Sequence, residues 1–208
     1  FMTQSSQELS LHGSRCDSKL FRAQTSGMAR QVTLDAEAAA NAWVRPFYAT
    51  HTFEVDFVAA GNVEKVVATV NAVYSQPATQ LLSTTQLRSS DPAQYGRRVL
   101  TMANHEGKGW FAIRLGKLVD HKTVIPSYIR QAIVFAHGSF STQLIFNILR
   151  HRVSVNNPGG AATPPALRAF WDRLLQYQAG TVDFRTIREE AVIGLPNDQI
   201  LAFLGDLP

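Results

Sequence analysis

Cysteine is nearly missing from this chain: Cys16 is the only one in 208 residues. No intrachain disulfide can form, and no cysteine-based zinc cluster can be assembled. A reducing cytoplasm is the simplest compartment for such a composition. Long hydrophobic runs are missing as well. No stretch of 18 apolar residues occurs, so no membrane partner is expected. The opening F-M-T-Q-S-S-Q-E-L-S has neither the basic nor the apolar region of a signal peptide, and Phe1 ahead of Met2 reads as a boundary inside a longer chain. Several catalytic signatures are absent too. There is no G-x-S-x-G elbow, no H-E-x-x-H pair, no dinucleotide-binding glycine pattern and no G-x-x-x-x-G-K-[ST] phosphate loop. Serine hydrolases, zinc proteases, Rossmann oxidoreductases and a self-contained P-loop ATPase therefore rank low.

What is present is enough apolar material for a core, 45% of the residues, and a formal charge of +4 that is unevenly spread. Between Arg88 and Arg130 there are eight Lys or Arg against three acids, Asp91, Glu106 and Asp120. From Thr181 to Pro208 five acids face only Arg185 and Arg188. A basic middle of this kind suits a polyanion such as DNA, and it also suits simple solubility.

Residues 1–30 are polar, rich in Ser and Gln, and lack a sustained apolar period, so a poorly ordered or partner-dependent segment is expected. Residues 31–157 read as the main region. Val32–Ala42 suggests a short helix, and Trp43–Ala49 carries strand-forming residues interrupted by Pro46. From Thr52 the pattern turns helical, with Thr52 as a cap and Gly61-Asn62 as a stop. A helix is expected over Val63–Tyr74, with Val66, Val67, Val70 and Val73 inward. Asp91-Pro92 resembles a cap followed by a first-turn proline, opening a helix through Met102. Gly107-Lys108-Gly109 breaks it, and Trp110–Val119 starts another. Further helices are expected from Pro126 to Phe135 and from Phe140 to Arg150. A Pro- and Gly-rich linker over 158–166 precedes a helical segment over 167–208. The fold class expected is α/β: mostly helical, with limited strand near residues 43–50.

Two short segments carry the chemistry. H-T-F-E-V-D-F-V-A-A at His51–Ala60 places Glu54 in the first turn of a helix. E-G-K-G-W-F-A-I-R-L at Glu106–Leu115 places Lys108 between two glycines. A helix-start carboxylate can ligate Mg²⁺, and a lysine flanked by small residues can approach a phosphate and neutralise its developing charge. Either residue alone also fits an ordinary exposed charge. Asp56, two positions past Glu54, should point elsewhere on a helix. His51 and His105 lack a repeated ligand spacing and read as local polar groups. Trp110 and Phe111 read as anchors for the Lys108 turn.

Together with V-I-P-S-Y-I-R-Q-A-I at Val124–Ile133, these segments resemble the C-terminal part of the OLD (overcoming lysogenization defect) family of ATP-dependent endonucleases, over about residues 43–137. The resemblance implies the distal portion of a Toprim nuclease region with a helical extension, using Mg²⁺ or Mn²⁺, with ATP entering only through an ATPase domain absent from this chain. Glu54 matches the later metal-associated glutamate, and Lys108 the catalytic lysine. The early glutamate and D-x-D pair of such a domain are not found here, so the isolated chain is expected to cleave weakly or not at all. The resemblance further implies DNA as substrate and a homo-oligomer or larger parent protein as context. Arg97, Arg98, Arg114, Lys117, Lys122 and Arg130 are the candidates for DNA backbone contact. If Glu54 and Lys108 instead lie apart, a noncatalytic helical DNA-binding or protein-interaction domain becomes the better account, or a nuclease remnant used only in assembly.

Overall fold

The computed structural model describes residues 17–157 and 163–208, with side chains from residue 27 onward. Residues 1–16 of the expected N-terminal segment, and residues 158–162 of the expected linker, lie outside the described residues. Every regular element among the described residues is helical, and no strand occurs there. This corrects the α/β expectation. Residues 44–49 run without regular structure. Pro46 lacks a backbone N–H to donate to a ladder, and the Tyr48 hydroxyl leans on a helix instead, donating to Asp35 Oδ1 at 2.8 Å. Trp43, with strand propensity but nothing to pack against, is 90% exposed. Residues 17–30 belong to a long helix, Asp17–Ala39.

The chain divides into two compact units, residues 1–132 and 133–208. In the first, α1 spans Asp17–Ala39, α2 Phe53–Phe57, α3 Val63–Val67, α4 Val70–Val73, α5 Pro77–Leu87, α6 Pro92–Glu106 and α7 Lys108–Gly116. Helix α8, Ser127–His137, follows. A π-helical turn at Val58–Asn62 separates α2 from α3. Gly61 there takes a φ of 107°, which ends the run where the sequence placed a stop. The expected single helix over Val63–Tyr74 is two, broken at Ala68-Thr69, where the Thr69 hydroxyl bonds back to the Val66 carbonyl at 2.7 Å. The valine spacing still holds: Val66, Val70 and Val73 are buried. Asp91 caps α6 through Ala93 N–H at 2.9 Å, with Pro92 at the first helical position. Helix α6 is the spine of this unit. Its Val99, Leu100, Met102 and Ala103 meet Val55 and Phe57 of α2 and Phe111 and Leu115 of α7.

In the second unit, α9 spans Thr142–Asn156, α10 Pro165–Gln178, α11 Phe184–Gly194 and α12 Ile200–Asp206. Ser141 and Asp183 cap α9 and α11 through the N–H groups of Leu144 and Thr186. Leu149, Leu174, Ile187 and Leu204 are fully buried, each contributing about 1.5–3 kcal/mol of hydrophobic stabilisation. Helices α10 and α11 approach closely because Gly194 has no side chain; a Cβ there would fall on the Phe170 Cβ. Arg152 of α9 reaches Asp198 through bonds of 2.8–3.2 Å, and both side chains are largely buried.

Candidate functional site

Glu54 lies in the first turn of α2, whose neighbours Val55, Asp56 and Phe57 are buried. Burial of that turn against α6 fixes the helix and holds the Glu54 side chain at only 13% exposure. Thr52 sits at the cap position with extended backbone, φ −72° and ψ 160°, but its hydroxyl makes no capping bond. Thr52 Oγ1 is instead buried with no hydrogen-bond partner. The expected cap is therefore an orphaned oxygen two residues before Glu54.

Lys108 is the first residue of α7. Between Glu106, the last residue of α6, and Lys108 there is only Gly107, at φ 84° and ψ 129°. Glycine adopts that backbone freely and other residues rarely do. The elbow is clamped by Arg114 of α7, which donates to Glu106 Oε2 at 2.7 Å, and anchored by Phe111, which is 1% exposed. Trp110 does not share the anchoring role expected of it, being 67% exposed. The elbow brings Lys108 Nζ to 3.3 Å from Glu54 Oε1. Lys108 remains 56% exposed, so the pair has one shielded end and one wet end.

Asp56 turns away from this pair. Its carboxylate accepts from His51 N–H at 3.0 Å and lies 3.0 Å from His51 Nδ1. The third sequence segment comes to the Asp56 side of α2. A cavity of about 350 Å³ is lined by Tyr48, Asp56 and Ala59 together with Val124, Pro126, Tyr128 and Arg130. The Tyr128 hydroxyl is pushed above its ordinary pKa, first by burial and then by the negative charges of Asp56 and Glu54. Asn62, which sequence reasoning treated only as part of a stop signal, holds this segment in place. Its side chain donates to Val124 C=O at 2.7 Å and accepts from Val124 N–H at 2.8 Å. Asparagine after glycine reads as a turn, and nothing in the local pattern indicates a partner 62 positions away.

The six basic candidates separate by their partners. Arg98 donates to Gln86 Oε1 at 2.7 Å, and Arg114 is held by Glu106. Arg130 lines the cavity. Arg97, Lys117 and Lys122 are exposed and have no ion-pair partner among the described residues. His105 stacks obliquely on Tyr74, with ring centroids 5.2 Å apart.

Among the described residues, no group of three or more His, Cys, Asp or Glu side chains is placed to hold a metal ion. Glu54 and the orphaned Thr52 hydroxyl are hard oxygen donors, the type that Mg²⁺ and Mn²⁺ prefer, but such ions take about six ligands. The donor chemistry fits a divalent cation, and the donor number requires further ligands. Also among the described residues, no helix is long and apolar enough to cross a membrane. No protein-family model, no curated protein and no solved structure matches this chain.

Proposed function

We propose that this chain supplies a glutamate–lysine pair to a metal-dependent endonuclease that hydrolyses DNA phosphodiester bonds, as the distal part of an OLD-type enzyme, with the remaining carboxylates coming from outside it. The 3.3 Å approach of Lys108 to Glu54, from segments far apart in sequence, is the observation that carries the proposal. The V-I-P-S-Y-I-R segment adds to it by lining a cavity shared with Asp56, where the Tyr128 hydroxyl feels the charge of Glu54. The α/β architecture is no part of the proposal, which rests on the pair.

In this role Glu54 is a metal ligand, joined by carboxylates from elsewhere. Held there, Mg²⁺ or Mn²⁺ would supply Lewis acidity, polarising phosphoryl oxygens and lowering the pKa of a coordinated water. The Lys108 ammonium carries three donors on a flexible stem, and its wet end leaves it able to turn from Glu54 to a non-bridging phosphate oxygen. The exposure of Arg97, Lys117 and Lys122 supports a role for them on the DNA backbone, where charge and reach matter more than specificity.

Two measurements test the proposal. In the chain as it stands, Mn²⁺ should broaden NMR resonances around Glu54 at millimolar concentration, and Glu54→Gln should abolish the effect. In a plasmid-cleavage assay the chain should be weak or inactive with Mg²⁺ or Mn²⁺, and a longer parent or a partner bearing the missing acids should cleave. There, Glu54→Ala and Lys108→Ala should each lower the rate by about 10²-fold or more. Robust cleavage by the chain alone would contradict the incomplete centre. Parent cleavage indifferent to both substitutions would make the pair an ordinary ion pair between helix ends, leaving a noncatalytic helical binding module.

A further inference from the structure

The second unit contains a cleft of about 320 Å³ between α9 and α10. Its apolar wall is formed by Val153, Leu167 and Trp171, and its exposed residues are Arg150, Ser154 and Arg168. Trp171 is half-buried, with its ring 6.4 Å from that of Phe146. The Arg150 guanidinium lies 5.8 Å from the other aromatic centre, that of Phe146. Phe146 itself is buried behind the cleft, in reach of both the Arg150 guanidinium and the Trp171 indole. The arginines of this unit divide between matched and unmatched, Arg188 being exposed and, among the described residues, unmatched outside the cleft. Arg152, Arg173 and Arg185 are matched to Asp198, Glu190 and Glu189. Among the described residues Arg150 and Arg168 have no ion-pair partner, and Asp172, one turn beyond Arg168, makes none with it.

We propose that this cleft binds single-stranded nucleic acid, seating one base against Trp171 and the flanking phosphates on Arg150 and Arg168. An apolar wall with an indole on it favours a flat apolar body, and two unmatched guanidiniums favour two anions attached to that body. A nucleotide inside a strand has this arrangement, with a base between two phosphates. A ligand with a single carboxylate leaves one guanidinium unused. A duplex keeps its base faces stacked against one another and cannot offer them to Trp171. The site lies in the unit that contains none of the six basic candidates above, and it stands or falls independently of the Glu54–Lys108 pair.

The test uses the full chain carrying Trp43→Phe and Trp110→Phe, which leaves Trp171 as the only tryptophan of three. A labelled oligothymidylate is titrated at low salt while Trp171 emission and probe anisotropy are recorded. Both signals should saturate together, with quenching of Trp171. Arg150→Ala with Arg168→Ala should weaken binding about tenfold or more, and should reduce the steepness of its salt dependence by about 1.4, two phosphate contacts at about 0.7 each. In the otherwise unsubstituted chain, Trp171→Leu should weaken binding about tenfold, and Trp171→Phe, which keeps a stacking face if leucine disturbs the fold, by less. The proposal is overturned if the oligonucleotide does not bind, if it binds with Trp171 emission unchanged, or if the arginine variant binds as well. It is also overturned if a duplex of equal length competes equally, or if an acidic peptide gives the same quenching.

Discussion

Asn62 and Val124 exchange two hydrogen bonds, side-chain amide to backbone, as two strand residues would. Asn62 is 3% exposed and also donates to Phe57 C=O at 2.9 Å, so one side chain ties the π-helical turn after α2 to the segment that lines the cavity. Asn62→Ala should leave the partly buried N–H and C=O of Val124 without their side-chain partner, costing about 1–3 kcal/mol for each group that water cannot reach. Urea unfolding should show a lower midpoint with an unchanged slope. A midpoint equal to that of the parent chain would mean that the segment is held by packing alone.

The two glycines around Lys108 should respond in opposite ways. Gly107→Ala imposes a side chain on a backbone of φ 84° and should cost about 1–3 kcal/mol. Gly109 lies inside α7, and a Cβ there would meet nothing within 4 Å. Gly109→Ala should therefore be neutral or stabilising by up to about 1 kcal/mol. Thermal unfolding of the two variants is sufficient to check this, and equal destabilisation of both would contradict the assignment of the elbow to Gly107.

Asp198 is a buried carboxylate whose burial raises its pKa, while hydrogen bonds from Arg152, Ile200 N–H and Asn156 outweigh that and leave it below its ordinary value. Asp198→Ala strands a largely buried guanidinium and should cost about 3–5 kcal/mol. A double variant, Arg152→Met with Asp198→Leu, should recover a large part of that loss, because no uncompensated charge remains. A double variant as unstable as the single one would show that the ion pair itself, and not relief of a lone charge, sustains the second unit.

Asp120 should titrate at about 2, held down chiefly by its hydrogen bond from Lys65 Nζ at 2.7 Å. Its folded pKa lies below the ordinary 3.8, so the stability it contributes is present above about pH 4 and is lost as pH falls through about 2. Lys65→Met should return the NMR titration midpoint of the Asp120 carboxyl towards 3.8 and flatten this part of the acid limb. An unmoved midpoint would assign the depression to the Lys122 N–H and Thr123 hydroxyl instead.

Local signals in the sequence were read well where the chain is locally determined. Asp91-Pro92 opened α6, Gly107 closed it, and the valine spacing from Val66 to Val73 found the buried face despite the break at Thr69. The strand at residues 43–50 failed because strand propensity is satisfied only by a neighbouring strand, and Tyr48 has a helix beside it. Glu54 and Lys108 were singled out from their own segments, and the structure brings the two together. Asn62–Val124, Arg152–Asp198 and the Arg150–Trp171 cleft could not be found this way. Each joins residues with no sequence period between them, so only the folded chain reveals them.

The unequal exposure of Glu54 and Lys108 has a thermodynamic corollary. A lysine on a wet, flexible stem beside a shielded carboxylate serves as a tethered counter-ion that can turn to water. Any cation arriving at Glu54 then competes with an ammonium held at high effective concentration. Loading with a divalent cation would exchange the single charge of the ammonium for two, leaving one positive charge at this corner for a further carboxylate to neutralise.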